Sequence, residues 1–422
     1  TTTAEILSVN PLSDPNFISP GDKLFIPGLP EGTQGELTLL QTQLGESFYD
    51  LIKKYQITPE QLAGINKLIS PTQVYVGSEL IVTIPAQGEL LYPSTKLKEG
   101  ESIFELAISH NKNPYSILLL NSVSGSVDFF KGLSVYDHSI DGGPVLSLLS
   151  SEFRKVEISP LPLIQGNTEV IHVVTKTPVE LNGELDGHPL HFFENEEGNY
   201  FALQGIHALA EPGLTEFVLN ASFENGRTLS FSQNILLKPG LFDIDPPLIV
   251  DPKTMDPDTA AEENEQVAKL ISEITPIRHY QGMFTSPAVY QEYNSLFGTR
   301  RTYNDDPTVT FHAGVDFAGG ITLPIFAPAN GTVVFAGPLT IRGNTTFVDH
   351  GQGVYSGFFH QNKLNVEVGD YVTQGDIIGE VGNTGRVNRN GDYYGVGAHL
   401  HWEVWVNGVQ VNPLDWLYNE YP

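Results

Sequence analysis

The chain has 422 residues, 41 of them glycine and 29 proline, with no cysteine and a formal charge of −28. That length exceeds what one hydrophobic core usually organises, so two to four domains are expected, and the spread of glycine and proline suggests many short strands and turns rather than disorder. The charge and the lack of any lysine–arginine cluster argue against a nucleic-acid partner, while the lack of cysteine excludes disulfides, thiolate metal ligands and cysteine nucleophiles and suits an exported protein.

The start, Thr1-Thr2-Thr3, has neither Met nor a signal-like core, so a mature or trimmed form is expected, and no apolar run in the chain is long enough to span a bilayer. The first third repeats itself. Asn10 to Gly21, Asn66 to Gly77 and Asn121 to Gly132 are each eleven positions apart, and Gly45-Glu46-Ser47 precedes Asn66 by the interval at which Gly100-Glu101-Ser102 precedes Asn121. The second copy has helix-period apolar residues (Phe48, Leu51, Ile52, Tyr55), a second short helix from Thr58-Pro59 and a strand over 80–84. These residues resemble the LysM family, small βααβ modules that bind N-acetylglucosamine-containing glycans. The resemblance implies a partial module at 1–30, a full one at 38–87 and a divergent one at 90–138 that lacks the closing Ile-Pro. In the blander alternative the repeated apolar positions only build small cores.

Over 142–240 the pattern changes to alternating strands: 170–174, 190–193, 200–203, 216–219 and 229–231, the last after the Asn225-Gly226 turn. An immunoglobulin-like β-sandwich is expected there. Its histidines, His172, His188, His191 and His207, are read as structural or surface residues. Residues 241–279 form a connector in which Asp258 could cap a helix through Ile274, with Val267, Leu270, Ile271 and Ile274 packing the sandwich onto the next domain. Its acidic run Glu262-Glu263-Asn264-Glu265 reads as a solvated first turn that suits the helix dipole.

The segment 280–422 carries the chemistry. Phe311-His312-Ala313-Gly314-Val315-Asp316-Phe317 and Gly397-Ala398-His399-Leu400-His401-Trp402-Glu403 both look like strands, on which side chains two or four apart share a face. His399 and His401 then point together, and His312 and Asp316 do so if the strand is unbroken at Gly314. Two histidines and a carboxylate suit zinc with a fourth position left open; spacing alone leaves the choice among the three histidines unsettled.

These segments resemble the M23 zinc metallopeptidases, the lysostaphin-like enzymes, whose pattern is His-x-x-x-Asp followed much later by His-x-His. The similarity extends to Phe297-Gly298-Thr299-Arg300-Arg301, Asp349-His350-Gly351, Gly369-Asp370 and Gly382-Asn383-Thr384-Gly385. It implies Zn2+ held by His312, Asp316 and His401, with His399 and His360 as the catalytic pair; His360 stands in Phe-Phe-His where the family has Tyr-x-His. Tyr303 is a candidate oxyanion stabiliser, Glu403 a candidate for orienting a ligand, and His350 and His279 read as structural. The whole is expected to be multidomain and mainly β: small βααβ LysM-like modules, an immunoglobulin-like sandwich and a β-rich M23-type peptidase domain. It would be a secreted or cell-envelope endopeptidase cutting the stem or cross-link peptides of bacterial peptidoglycan. The alternative is a non-catalytic, glycan-anchored regulator or scaffold.

Overall fold

The computed structural model describes residues 3–10, 24, 36–84, 93–97, 101–110, 112–121, 134–136, 152–195, 197–224, 226–304, 306–387 and 397–422. They form two compact units, Thr1–Glu152 and Phe153–Pro422. In the first unit the Gly-Glu-Ser repeats start helices because their serines are N-caps. The Ser47 hydroxyl accepts from the Asp50 N–H while the Asp50 carboxylate accepts from the Ser47 N–H, and Ser102 and Glu105 make the same exchange. Each exchange satisfies two donors that opening turns otherwise leave free.

Helices Phe48–Lys54 and Pro59–Asn66 lie between the antiparallel strands Glu36–Gln41 and Glu79–Ile84. Helices Ile103–Ser109 and Pro114–Leu120 lie likewise between Pro93–Lys96 and Ser134–Tyr136, so the divergent repeat is also βααβ. The repeated asparagine explains itself. The Asn66 amide donates to the Leu62 and Ile81 carbonyls and accepts from the Ile81 N–H; Asn121 does the same with Ile117 and Tyr136, and Asn10 donates to Ile6. One side chain thus ties a helix end to the closing strand. Gly77 sits at φ 82°, the left-handed region that favours glycine. Gly21, Gly100 and Gly132 lie outside the described residues, as does Asn225 of the expected turn.

In the second unit strands Phe193–Glu194, Tyr200–Gly205, Thr168–Thr175 and Phe153–Ser159 form one sheet, in that order. Leu163–Ile164, Thr228–Lys238, Gly213–Phe223, Val179–Leu185 and His188–Leu190 form a second. Phe217, Leu219 and Ala221 alternate into the interior, and the Val179 N–H donates to Tyr200 Oη from one sheet to the other. The strand expected over 190–193 is two short strands, one in each sheet, because the chain crosses between sheets at this point.

The connector departs from expectation. Its helix is Pro257–Ile271, capped by Asp256, whose carboxylate accepts from the Thr259 N–H, not by Asp258, and it stops short of Ile274. Val267, Leu270 and Ile271 pack against Phe347, Tyr355 and Phe359 of the C-terminal sheet rather than against the sandwich. The sandwich meets that sheet directly. A Cβ on Gly205 would come within 2.7 Å of Val411, Asn407 donates to Gln204 Oε1 at 2.6 Å, and Trp416 Nε1 donates to Thr168 Oγ1 at 3.2 Å. Glu263 is no solvated first-turn acid. It is buried, accepting from the Ile341 and Arg342 N–H groups and pairing with the Arg342 guanidinium at 2.8 Å, because two backbone donors and a cation await it there.

The C-terminal sheet runs Tyr293–Ser295, Val315–Ala318, His399–Val406, Val354–Gln361, Gly343–Gly351, Gly331–Leu339 and Tyr371–Val372, with Val409–Val411 also pairing with His399–Val406. Leu400, Trp402 and Val404 turn one face of the central strand into a core shared with Val315, Phe317 and Phe358. The opposite face carries the polar residues.

Candidate metal centre

Register builds the site. Asp316 and Phe359 both lie directly opposite His401, one on each neighbouring strand, so the three share a face. His399 and Glu403, two residues either side of His401, share it too. His312 reaches it by a different route from the one its spacing suggested. Strand Asp306–Phe311 ends before it and pairs with Arg300–Tyr303 in a separate sheet, and a new strand begins at Val315. The break falls at Gly314, where a Cβ would meet the Trp402 carbonyl oxygen at 2.3 Å and His401 Nε2 at 2.9 Å. Only glycine lets the chain pass so close to the central strand.

His360 should face away, since it follows Phe359. It does not, because the pairing with Gly343–Gly351 slips between Asn344 and Thr346 and His360 takes φ 59° in the resulting bulge. Such bulges re-aim side chains, and a left-handed histidine is a strained position that its surroundings must hold. Its ring lies 4.8 Å from that of His399 and 5.9 Å from that of His401.

The donor atoms converge. His312 Nε2 is 2.9 Å from Asp316 Oδ1 and from His401 Nδ1, and His401 Nδ1 is 2.7 Å from the same Oδ1; His399 Nε2 stands 3.4 Å from it. The far ring nitrogens are all engaged. Nδ1 lies within hydrogen-bond distance of the Leu296 carbonyl in His312, of the Thr384 carbonyl in His360 and of the Gly397 carbonyl in His399, at 2.9, 2.8 and 2.6 Å. Donation to these carbonyls leaves each Nε2 as a lone pair aimed at the site. His401 is reversed, with Nε2 at 3.2 Å from Glu403 Oε1, so that Nδ1 faces inward. Glu403 is itself buried and held by Trp405 Nε1 and Gln410 Nε2, and Phe359 stacks on the His401 ring at 5.2 Å. Asp316 turns its second oxygen to Arg301 at 3.0 Å, and Arg301 in turn meets Asp245 at 2.8 Å.

The electrostatics favour a cation. Burial pushes the His312 pKa down to about 4, and burial followed by the charges of His399 and His401 holds His360 well below its ordinary value. Burial also opposes ionisation of Asp316, yet His312 and His399 outweigh it and keep the carboxyl well below the usual carboxylate range. His401 resists burial through Asp316 and Glu403 and rises to about 8. An ionised carboxylate thus faces His312 and His360, which burial keeps neutral, while its own charge and that of Glu403 favour the protonated form of His401.

His312, Asp316 and His401, all buried, form one group able to hold a metal ion; His360, His399 and His401 form another. The first fits zinc better because it includes an anion. Its donor atoms are 2.7 to 2.9 Å apart, whereas tetrahedral zinc spaces its ligands by about 3.3 Å, so an ion would open the set by about half an ångström. A cleft of about 220 Å³ lies over these residues, lined also by Tyr303, Arg342 and Arg386 and by connector residues such as Leu248 and Asn264. Tyr303 therefore borders the site, beneath the Arg386 guanidinium. His350 is buried away from it, between the Asn330 carbonyl and the Ser356 hydroxyl. Sequence reasoning assigned no role to Arg301, Asp245, Arg342 or Arg386; the Arg300-Arg301 pair and the arginine after Gly382-Asn383-Thr384-Gly385 were the available signals.

A face of histidines and a carboxylate on the central strands of an antiparallel sheet makes this a candidate metal-binding domain. Residues 310–413 match Peptidase family M23, and residues 1–27 and 41–83 match the LysM domain, so the chain carries an M23 peptidase domain together with LysM. The peptidoglycan DD-endopeptidase ShyC of Vibrio cholerae is 31% identical over 128 residues, 30% of this chain and 28% of that protein. The DD-carboxypeptidase/endopeptidase Mpg of Neisseria meningitidis is 34% identical over 136 residues, 32% of this chain and 29% of that protein. The aligned part thus spans under a third of either relative. A crystal structure assigned to peptidase M23 from Pseudomonas aeruginosa aligns over 61% of this chain and 95% of its own, at 26% identity and a TM-score of 0.45.

Proposed function

We propose that the protein is a zinc metalloendopeptidase that hydrolyses peptide bonds in the stem or cross-link peptides of peptidoglycan, outside the cell or in its envelope. The observation that carries this reading is the convergence of His312 Nε2, Asp316 Oδ1 and His401 Nδ1 on one point beneath a cleft. These three would hold the ion. When bound, zinc would polarise the scissile carbonyl and bring the pKa of a water towards about 7. His399 and His360, whose Nε2 atoms face the same space, would share the proton work, one accepting from the water and the other donating to the oxyanion or leaving amine. Glu403 would hold the His401 ring through Nε2, and Arg301 the second oxygen of Asp316, so both are positioning residues. Tyr303, which borders the cleft, would donate its hydroxyl proton to an oxyanion.

The domain limits that go with this reading are 1–30, 38–87 and 90–138 for LysM-like modules, 142–240 for the sandwich, 241–279 for the connector and 280–422 for the peptidase. The βααβ modules would bind N-acetylglucosamine-containing strands and concentrate the cleft at the wall. Mass spectrometry of peptidoglycan digested by the zinc-loaded protein tests the reaction. New amino termini with intact glycan strands are expected; new reducing sugar ends without new amino termini would overturn it, since most glycosidases instead pair two carboxylates across an acetal.

A further inference from the structure

Three arginines line the cleft, and carboxylates answer two of them: Asp245 and Asp316 for Arg301, and Glu263 for Arg342. Arg386 differs. Its Nε donates to Thr254 Oγ1 at 3.4 Å, its Nη2 donates to the Thr254 carbonyl, and its guanidinium lies 5.2 Å from the centre of the Tyr303 ring. Among the described residues no carboxylate forms an ion pair with it. Burial pulls its pKa below the usual arginine value, as expected of a cation whose direct acceptors are neutral.

This is an unusual place for such a group. The chain has 50 acidic against 22 basic side chains, and a partly buried charge whose attracting carboxylate, Glu263, is already in contact with Arg342 gains from a carboxylate that a ligand supplies. A guanidinium has five N–H donors, and Thr254 uses two of them. The Tyr303 hydroxyl takes a third, which leaves two of the five for a carboxylate, the number a two-point grip uses. Arg386 is also fixed beside the chemistry. Its N–H donates to the Ile341 carbonyl at 2.7 Å, and two residues before it the Thr384 carbonyl holds His360 Nδ1.

We propose that Arg386 is a specificity-determining residue that binds a free carboxylate of the peptide substrate next to the scissile bond. The inference rests on the peptidase reading and deepens it. The substrate class becomes wall peptides with a free carboxylate on a residue flanking the cleaved bond, preferred over the same peptides carboxamidated. Thr254 and Tyr303 accept from the guanidinium in the absence of substrate, and the carboxylate takes the remaining donors.

The test uses the full zinc-loaded chain and one synthetic cross-linked wall peptide in two forms, with free carboxylates and with those carboxylates as primary amides. Wild type should favour the acid by about tenfold or more in kcat/KM, chiefly through KM. Arg386→Gln should bring the acid-to-amide ratio close to one, and Arg386→Lys, which keeps the charge and loses the fork, should fall between. Calorimetric binding of both peptides to His399→Ala and to His399→Ala carrying Arg386→Gln should give the same pattern of ratios without turnover. A wild-type ratio near one, or a ratio unchanged by Arg386→Gln, overturns the assignment. Equal cleavage of both forms would remove the anchor and keep the peptidase; discrimination in binding with no cleavage of either would keep the anchor and remove the peptidase.

Discussion

The histidines of the sheet face divide by what holds their outer nitrogen. His401 is set by a carboxylate and points Nδ1 inward, whereas His312, His360 and His399 are set by carbonyls and point Nε2 inward. If His401 is a ligand and His360 a proton carrier, His401→Ala should lose most bound zinc. His360→Ala should keep its zinc and lose about 10² to 10⁴ in rate. Metal analysis beside peptide hydrolysis separates the two, and full zinc in His401→Ala would remove it from the ligand set. His350 offers a test of stability instead. Burial depresses its folded pKa to about 4 from an ordinary 6.5, so the unfolded chain takes up the proton first as pH falls. Its contribution is complete above about 6.5 and is lost towards 4. His350→Gln should therefore show a shallower loss of stability across that window, measured by urea unfolding at a series of pH values. The residues that converge in the candidate site, His312, Asp316, His399 and His401, were legible from His-x-x-x-Asp and His-x-His alone. Glu403 was legible as a candidate for orienting a ligand, whereas Arg301 was not, since its partners Asp245 and Asp316 come together only when the chain is folded.

At the scale of elements, alternation predicted the shared face of His399 and His401, and it failed where the backbone leaves regular geometry. The bulge at His360 adds a histidine to a face that strand periodicity denies it, and the break at Gly314 brings His312 to that face without the continuous strand its spacing assumed. A sequence shows a glycine or a Phe-Phe-His run, but not the register slip that turns the last side chain inward. The connector helix failed for a different reason. Asp256 and Asp258 are both competent caps, and the helix starts at Asp256, with Pro257 in the first helical position where a missing N–H costs nothing. The repeats were read correctly as periodic, and their cause is now testable. The Asn66 amide makes three hydrogen bonds that join Pro59–Asn66 to Glu79–Ile84. Neutral bonds contribute about 0.5 to 1.5 kcal/mol each, so Asn66→Ala should speed exchange of the Ile81 amide by about tenfold or more. Amides of His399–Val406 should exchange as before. Unchanged protection at Ile81 would make the asparagine incidental to the module.

For the whole molecule, the division into Thr1–Glu152 and Phe153–Pro422 matches the division of labour proposed for it, since every described residue of the candidate site lies in the second unit. The sandwich belongs with the catalytic part. Leu203 joins the core formed by Phe317, Trp402 and Trp416, and Gly205 admits Val411 at a distance no larger residue would allow. Removing residues 1–152 should therefore leave a unit that folds, binds one zinc and cuts a small soluble peptide at close to the rate of the full chain. Binding to insoluble peptidoglycan should weaken, because the βααβ modules supply location and not chemistry. A pull-down with matched digestion of soluble and insoluble substrate reads both effects at once. Equal binding of the truncated and full chains would make the modules spacers, and loss of activity on the soluble peptide would show that the first unit takes part in the reaction itself.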